Sequence, residues 1–331
     1  MSIFPSSRFR SGSLFALLMC FMIGTVRADA LMEFLQERTP PANNGRVTYV
    51  SHQEDPLLQM IQNLDALTGD QEFPELHYTR NNAFHPALSS TAAMVVDAQS
   101  GQVLYHKNSS AQMPIASITK LMTAIVVLDA QQNLQQMITV STDDIDRLKN
   151  SGSRLAIGTA LSREEMLHLG LMSSENRAMH ALARAYPGGM QAFLQAMNDK
   201  ARALGMNNTV FYDPTGLNPR NQSTAQDLVR LVQAAYEYPL IRQFSTSTDG
   251  AVLSTRGKVL HYKNSNALVR GGEWKIDLQK TGYIRESGRS MVVRATIEKR
   301  PLIIVLLDAP TAFRRVNDAQ TLRTMVTSGA M

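Results

Sequence analysis

The spacing of apolar and polar positions changes character several times along this chain. Leu14 to Val26 is one continuous apolar run. From Leu31 to Ala87 apolar positions thin out and Pro40-Pro41 and Asn43-Asn44-Gly45 interrupt them. Only Leu57, Ile61, Leu64 and Leu67 recur there at helical spacing, which predicts an extended leader carrying one short helix. From Thr91, two strand-like runs flank Ala98-Gln99-Ser100-Gly101 and predict a hairpin. Helical periodicity covers Ser117–Asp129, Arg163–Tyr186, Met190–Leu204 and a stretch after Ser223 to Tyr236, where Ser223 and Gln226 have capping-box spacing. The last third returns to strand texture (AVLSTRGKVLHYKNSN, WKIDLQKTGYI, RSMVVRATIEKR, PLIIVLLDAP) and closes on a helix over Asp318–Val326. An early hairpin, a helical middle and late strands predict an α/β (α+β) fold: an antiparallel sheet built from both chain ends, with helices packed on it and a helical subdomain.

The first apolar run changes the picture of where the chain works. Arg8 and Arg10 precede it, Ala28-Asp29-Ala30 follows it, and it is shorter than the roughly 20 residues that span a bilayer. Residues 1–30 therefore read as a cleavable signal peptide, with no stable membrane anchor left after cleavage and the periplasm as destination. Cys20, the only cysteine, lies inside that run. The mature chain is thus expected to lack disulfides, thiol catalysis and thiolate metal sites. Hydrophobic residues make up 44% and charged residues 18% of the chain, which excludes a disordered or coiled-coil protein. The net charge of +5 includes Arg8, Arg10 and Arg27 of the export segment and is too mild and scattered for nucleic-acid binding.

Three short motifs carry candidate chemistry. Ser117-Ile118-Thr119-Lys120 opens a helical pattern, and a spacing of three places the hydroxyl and the amine on one helix face. Amides at a helix start have no partner within the helix, so Ser117 can supply a nucleophile and half an oxyanion hole. Lys120, beside Leu121 and Met122, can lose its charge by desolvation, and only the neutral amine can accept the hydroxyl proton. Ser174-Glu175-Asn176 offers a hydroxyl for proton relay and an amide to fix Lys120 and a substrate carbonyl. Lys280-Thr281-Gly282 ends a strand run: Lys280 adds positive charge, Thr281 can bind a substrate carboxylate, and Gly282 lets a substrate backbone approach. Each motif alone has an ordinary structural explanation as a cap, a polar turn or a strand end.

Taken together and in this order, the motifs resemble those of the low-molecular-weight penicillin-binding proteins, the serine D-alanyl-D-alanine peptidases, over about Leu88 to Val326. Phe211–Leu231 (FYDPTGLNPRNQSTAQDLVRL) resembles that family's stretch between the second and third motifs. The resemblance implies Ser117 as nucleophile, Lys120 as general base, and Ser174, Asn176 and Lys280 as further catalytic residues. It implies that Lys280, Thr281 and Gly282 line the substrate strand, that Thr281, Gly282 and Tyr283 bind substrate, and that the amides of Ser117 and Tyr283 form the oxyanion hole. Arg315 resembles the arginine that recognises a terminal carboxylate, although Arg314 is adjacent. No cofactor or metal is implied; the expected partners are peptidoglycan stem peptides, with β-lactams as covalent inhibitors.

The residues after Gly282 suffice for the end of a sheet and a helix, but not for a second β-rich domain with an anchor. That resembles the shorter penicillin-binding protein 7 type, D-alanyl-D-alanine endopeptidases that cut D-alanyl to diaminopimelate cross-links. Carboxypeptidase action on pentapeptide stems is the alternative. A β-lactamase or an inactive wall-binding module is more remote: no Glu occurs from Arg177 to Tyr236, and Ser117, Lys120 and Lys280 are all present. Asp143, Asp144 and Asp146 lack the glycine and closing Glu of a calcium loop, and His180 reads as a structural histidine. The expected organisation is a leader over 31–87, a catalytic domain over 88–327 and a tail over 328–331.

Overall fold

The computed structural model describes residues 73–78, 86–254 and 257–330. These belong to the second of two units, Glu54–Met331. The signal segment and the short leader helix expected around Leu57–Leu67 lie outside the described residues.

In chain order the elements are β1 (His77–Tyr78), β2 (Ala92–Asp97), β3 (Gln102–Lys107), β4 (Met113–Pro114), α1 (Thr119–Asp129), β5 (Met137–Thr139) and β6 (Ala160–Ser162). There follow α2 (Arg163–Met172), α3 (Asn176–Arg184), α4 (Gly189–Ala203), β7 (Gln222–Ser223), α5 (Ala225–Tyr236) and α6 (Pro239–Thr246). The last third holds β8 (Asp249–Leu253), β9 (Val259–Lys263), α7 (Ala267–Gly271), β10 (Lys275–Ile284), β11 (Gly288–Ile297), β12 (Arg300–Ala309) and α8 (Ala312–Thr327).

The main sheet has six strands in the order β1-β3-β2-β12-β11-β10, so the first hairpin and the last meander meet at the β2–β12 pair. Strand alternation then sorts side chains onto two cores. Met94, Val96, Val292, Ile303 and Val305 face the helical layer containing Leu121, Ile125, Met179 and Leu228. Ala93, Val95, Val293, Leu302 and Ile304 face the opposite side, where Ala319, Leu322 and Val326 of α8 pack. Asp318 joins the ends as well: its carboxylate accepts from the Ser89 and Ser90 amides and from the Ser90 hydroxyl, at 2.7 to 3.0 Å.

Several sequence expectations need correction. The helix expected over Arg163–Tyr186 is two helices, because Ser174 takes a left-handed backbone (φ 66°) and Glu175 caps α3 by accepting from the Arg177 amide. The cap of α5 is Thr224, accepting from the Asp227 amide, while Ser223 is engaged in β7 opposite Met113. α8 begins at Ala312, capped by Thr311, well before Asp318. α6 was not expected, although Pro239 at its first turn is a legible start signal. Finally, the sheet is mixed: residues 77–78 of the leader pair in parallel with β3. Phe73 and Leu76 of the same segment pack on the helical-side core.

Candidate active site

Ser117 stands in a single 3-10 turn, Ala116–Ile118, directly ahead of α1. The residue before it, Ala116, is left-handed (φ 46°), a conformation that costs an L-residue about 1–2 kcal/mol and persists only where the surroundings enforce it. Two glycines do so. A Cβ on Gly216, itself left-handed, would lie 1.8 Å from the Ala116 carbonyl oxygen. A Cβ on Gly282 of β10 would lie 2.9 Å from the Ile115 oxygen and 3.2 Å from the Ser117 nitrogen. The Ser117 backbone is therefore clamped between the Gly216 turn and the outer strand of the sheet. Both contacts are closer than any side chain permits.

Lys120 follows one turn later and is wholly buried. Its Nζ lies 2.8 Å from Ser117 Oγ, 2.8 Å from Asn176 Oδ1 and 2.7 Å from the Thr215 carbonyl oxygen. The last two atoms can only accept, so they take two amine protons. Ser117 is the one neighbour able to donate. In the neutral amine the lone pair is thus directed at the Ser117 hydroxyl. Burial depresses the lysine from its ordinary 10.5 to about 7, against the opposing charges of Asp213 and Glu175.

The second motif supplies the opposite wall. Asn176, at the start of α3, is fixed from both ends: its Oδ1 meets Lys120 and its Nδ2 donates to Ser151 Oγ at 3.1 Å. Ser174 occupies the left-handed turn between α2 and α3, and its hydroxyl has no hydrogen bond among the described residues. Glu175, between them, accepts from Ser153 Oγ at 2.6 Å.

Lys280, Thr281 and Gly282 lie on β10, the edge strand of the sheet, where Lys280 pairs with Val292 of the helical-side core and Thr281 with Met291 of the opposite one. Lys280 is fully buried and held well below the ordinary lysine range, by burial first and then by the positive charges of Lys120 and Arg315. Thr281 is buried, with its hydroxyl 2.7 Å from Ser265 Oγ. Tyr283 is half exposed, with the Arg289 guanidinium 3.5 Å over its ring. Arg315 is buried on α8; Nη1 donates to the Ser290 carbonyl, and Ser290 pairs with Gly282. Its Nε has no partner among the described residues, whereas Arg314 is exposed. Burial and the neighbouring Arg289 lower Arg315 to about 10, leaving it charged at neutral pH.

A charged arginine, two buried lysines with lowered proton affinity and a serine hydroxyl on one of them form a site suited to acyl transfer from an anionic substrate. A family model described as D-alanyl-D-alanine carboxypeptidase, peptidase family S11, matches residues 79–311. The chain belongs to this family. D-alanyl-D-alanine endopeptidases of Pseudomonas aeruginosa and Escherichia coli are each 44% identical to it, over 73% and 75% of this chain and 78% and 80% of theirs. D-alanyl-D-alanine carboxypeptidase DacC of Escherichia coli is 29% identical over 72% of this chain and 61% of its own. Among solved structures, the Streptomyces K15 DD-transpeptidase superposes with a TM-score of 0.69 at 25% identity, covering 75% of this chain and all of that one. The S11 membership bears out the expected fold class and the expectation of a hydrolase.

Within the S11 scaffold several supporting residues lie outside the three motifs. Asp213 accepts from the Thr215 amide and hydroxyl and from the amides of Gly216 and Asn218, folding the turn that delivers the Thr215 carbonyl to Lys120. The Asp-Pro-Thr-Gly string is a readable signal for such a turn. Ser151 and Ser265 had none; only the tertiary fold places them. Asp144 is fully enclosed by His180 and Arg184 at 2.8 and 3.0 Å, consistent with the structural reading of that acid and histidine.

Proposed function

We propose that this chain is an exported serine D-alanyl-D-alanine endopeptidase that hydrolyses D-alanyl to diaminopimelate cross-links of peptidoglycan in the periplasm. The observation that carries the reading is the 2.8 Å contact between Ser117 Oγ and a buried Lys120 whose pKa is lowered to about 7. In this mechanism Lys120 takes the Ser117 proton as Oγ attacks the carbonyl of the D-alanyl residue. The amides of Ser117 and Tyr283 stabilise the resulting oxyanion. Collapse breaks the C–N bond, the proton passes by way of Ser174 to the departing amine, and Asn176 keeps Lys120 and the acyl carbonyl aligned. Water then hydrolyses the ester and restores Ser117. Lys280, Thr281 and Arg315 hold the substrate carboxylate beside the scissile bond, and the exposed edge of β10 receives an extended stem peptide. β-Lactams occupy the same positions and stop at the ester.

Export rests on the signal-like residues 1–30; among the described residues no helix is long and apolar enough to cross a membrane. The choice of endopeptidase follows the 44% identical relatives; the family description and the 29% identical relative favour carboxypeptidase action as the second reading. Two measurements test the proposal. Ser117→Ala should abolish covalent labelling by a fluorescent penicillin, and undiminished labelling refutes the nucleophile. Digestion of purified cross-linked peptidoglycan should convert dimers to monomers; release of free D-alanine alone establishes the carboxypeptidase instead.

A further inference from the structure

Thr281 is the only hydroxyl of the third motif, yet its partner lies outside all three. Ser265 Oγ, 2.7 Å away, belongs to the link between β9 and α7. The scaffold holds that link on both sides. The Ser265 amide donates to the Met172 carbonyl at the end of α2, just ahead of Ser174. Buried Asn264 donates to the carbonyls of Ser245 and Ser247, while its Oδ1 accepts from the Asn266 amide and from Gln279 Nε2. Gln279 immediately precedes Lys280, so one buried amide cluster fixes both the third motif and the residue that touches it.

A hydroxyl carries one proton and two lone pairs, so exactly one member of the Ser265–Thr281 pair donates to the other. A carboxylate can only accept. When it meets Thr281 it must accept the one hydrogen bond that hydroxyl can donate, and Thr281 must then accept from Ser265. We propose that Ser265 is a positioning residue that turns the Thr281 hydroxyl proton toward the substrate carboxylate, forming a chain from Ser265 through Thr281 to the anion. The proposal rests on the reading of Thr281 as a carboxylate ligand. Without Ser265 the Thr281 hydroxyl loses its second partner and its fixed orientation. Loss of one neutral hydrogen bond corresponds to roughly a two- to tenfold fall in the step that uses it.

The test compares acylation by a penicillin and by its methyl ester in the parent, Ser265→Ala, Thr281→Ala and the double variant. Ser265→Ala should slow acylation by the free acid about two- to tenfold, leave the ester unchanged, and add nothing to Thr281→Ala. A Ser265→Ala effect equal on acid and ester, or none on either, overturns the proposal while Thr281 keeps its role. Should Thr281→Ala itself fail to discriminate acid from ester, the carboxylate reading of Thr281 falls, and the positioning role falls with it.

Discussion

The proton on Lys120 sets the sharpest test of this site. With the amine near 7, the neutral fraction is roughly 1% at pH 5, about 9% at pH 6, about half at pH 7 and about 90% at pH 8. If the neutral amine is the base, acylation should climb about 50-fold between pH 5 and 7 and then level off above pH 8. A solvated lysine at its ordinary 10.5 would instead keep the rate rising about tenfold per unit to pH 10. The assay is the second-order rate constant for a fluorescent penicillin measured across pH 5 to 9, on protein whose fold is checked at each pH. Glu175→Gln gives the directional control: it removes one of the negative charges that favour the ammonium while keeping an oxygen to accept from Ser153 and the Arg177 amide. The rising limb should move to lower pH. A profile without a plateau below pH 9, or a limb displaced upward by Glu175→Gln, refutes the assignment of Lys120 as base. Lys120→Met should remove the limb and most of the rate together. Stability has the matching sign. Because the folded value lies below the unfolded one, the contribution of Lys120 is complete above about 10.5 and declines as pH falls toward about 7.

Two further substitutions probe the frame that holds Ser117 and the two halves of the sheet. Gly216→Ala adds a methyl group at a left-handed position 1.8 Å from the Ala116 oxygen, so the Ser117 turn must shift. We expect acylation to fall at least tenfold with a lowered melting temperature; unchanged kinetics would show that the clamp does not hold Ser117. Asp318→Ala leaves the Ser89 and Ser90 amides and the Ser90 hydroxyl without their acceptor in a buried setting, a loss of about 3 kcal/mol or more in denaturant unfolding. A change under about 1 kcal/mol would show that the two chain ends are not held together through this carboxylate.

Local order along the chain specified much of this protein. Strand alternation and turn residues marked the early hairpin and the late meander, because pleating repeats every two residues and is written in adjacent positions. The first motif already implied that the hydroxyl of Ser117 and the amine of Lys120 meet, since they need only one helical turn to do so. Arg163–Tyr186 was legible as helical but not as broken. The interruption depends on Ser174 adopting a left-handed backbone that propensity disfavours and that the surrounding fold imposes.

What remained for the tertiary structure were relations between groups far apart in sequence. That Gly216 and Gly282 close on Ser117 from opposite sides, that Thr215 offers a carbonyl to Lys120, and that Ser265 meets Thr281 are facts of packing. The lowered affinity of Lys120 for its proton belongs to the same class, because desolvation by distant segments sets it. Side-chain identity in the sequence determined which atoms can donate, accept or titrate. The enclosure that loosens the proton of an amine, and orients that amine toward one hydroxyl, arises only when segments distant in sequence have assembled around it.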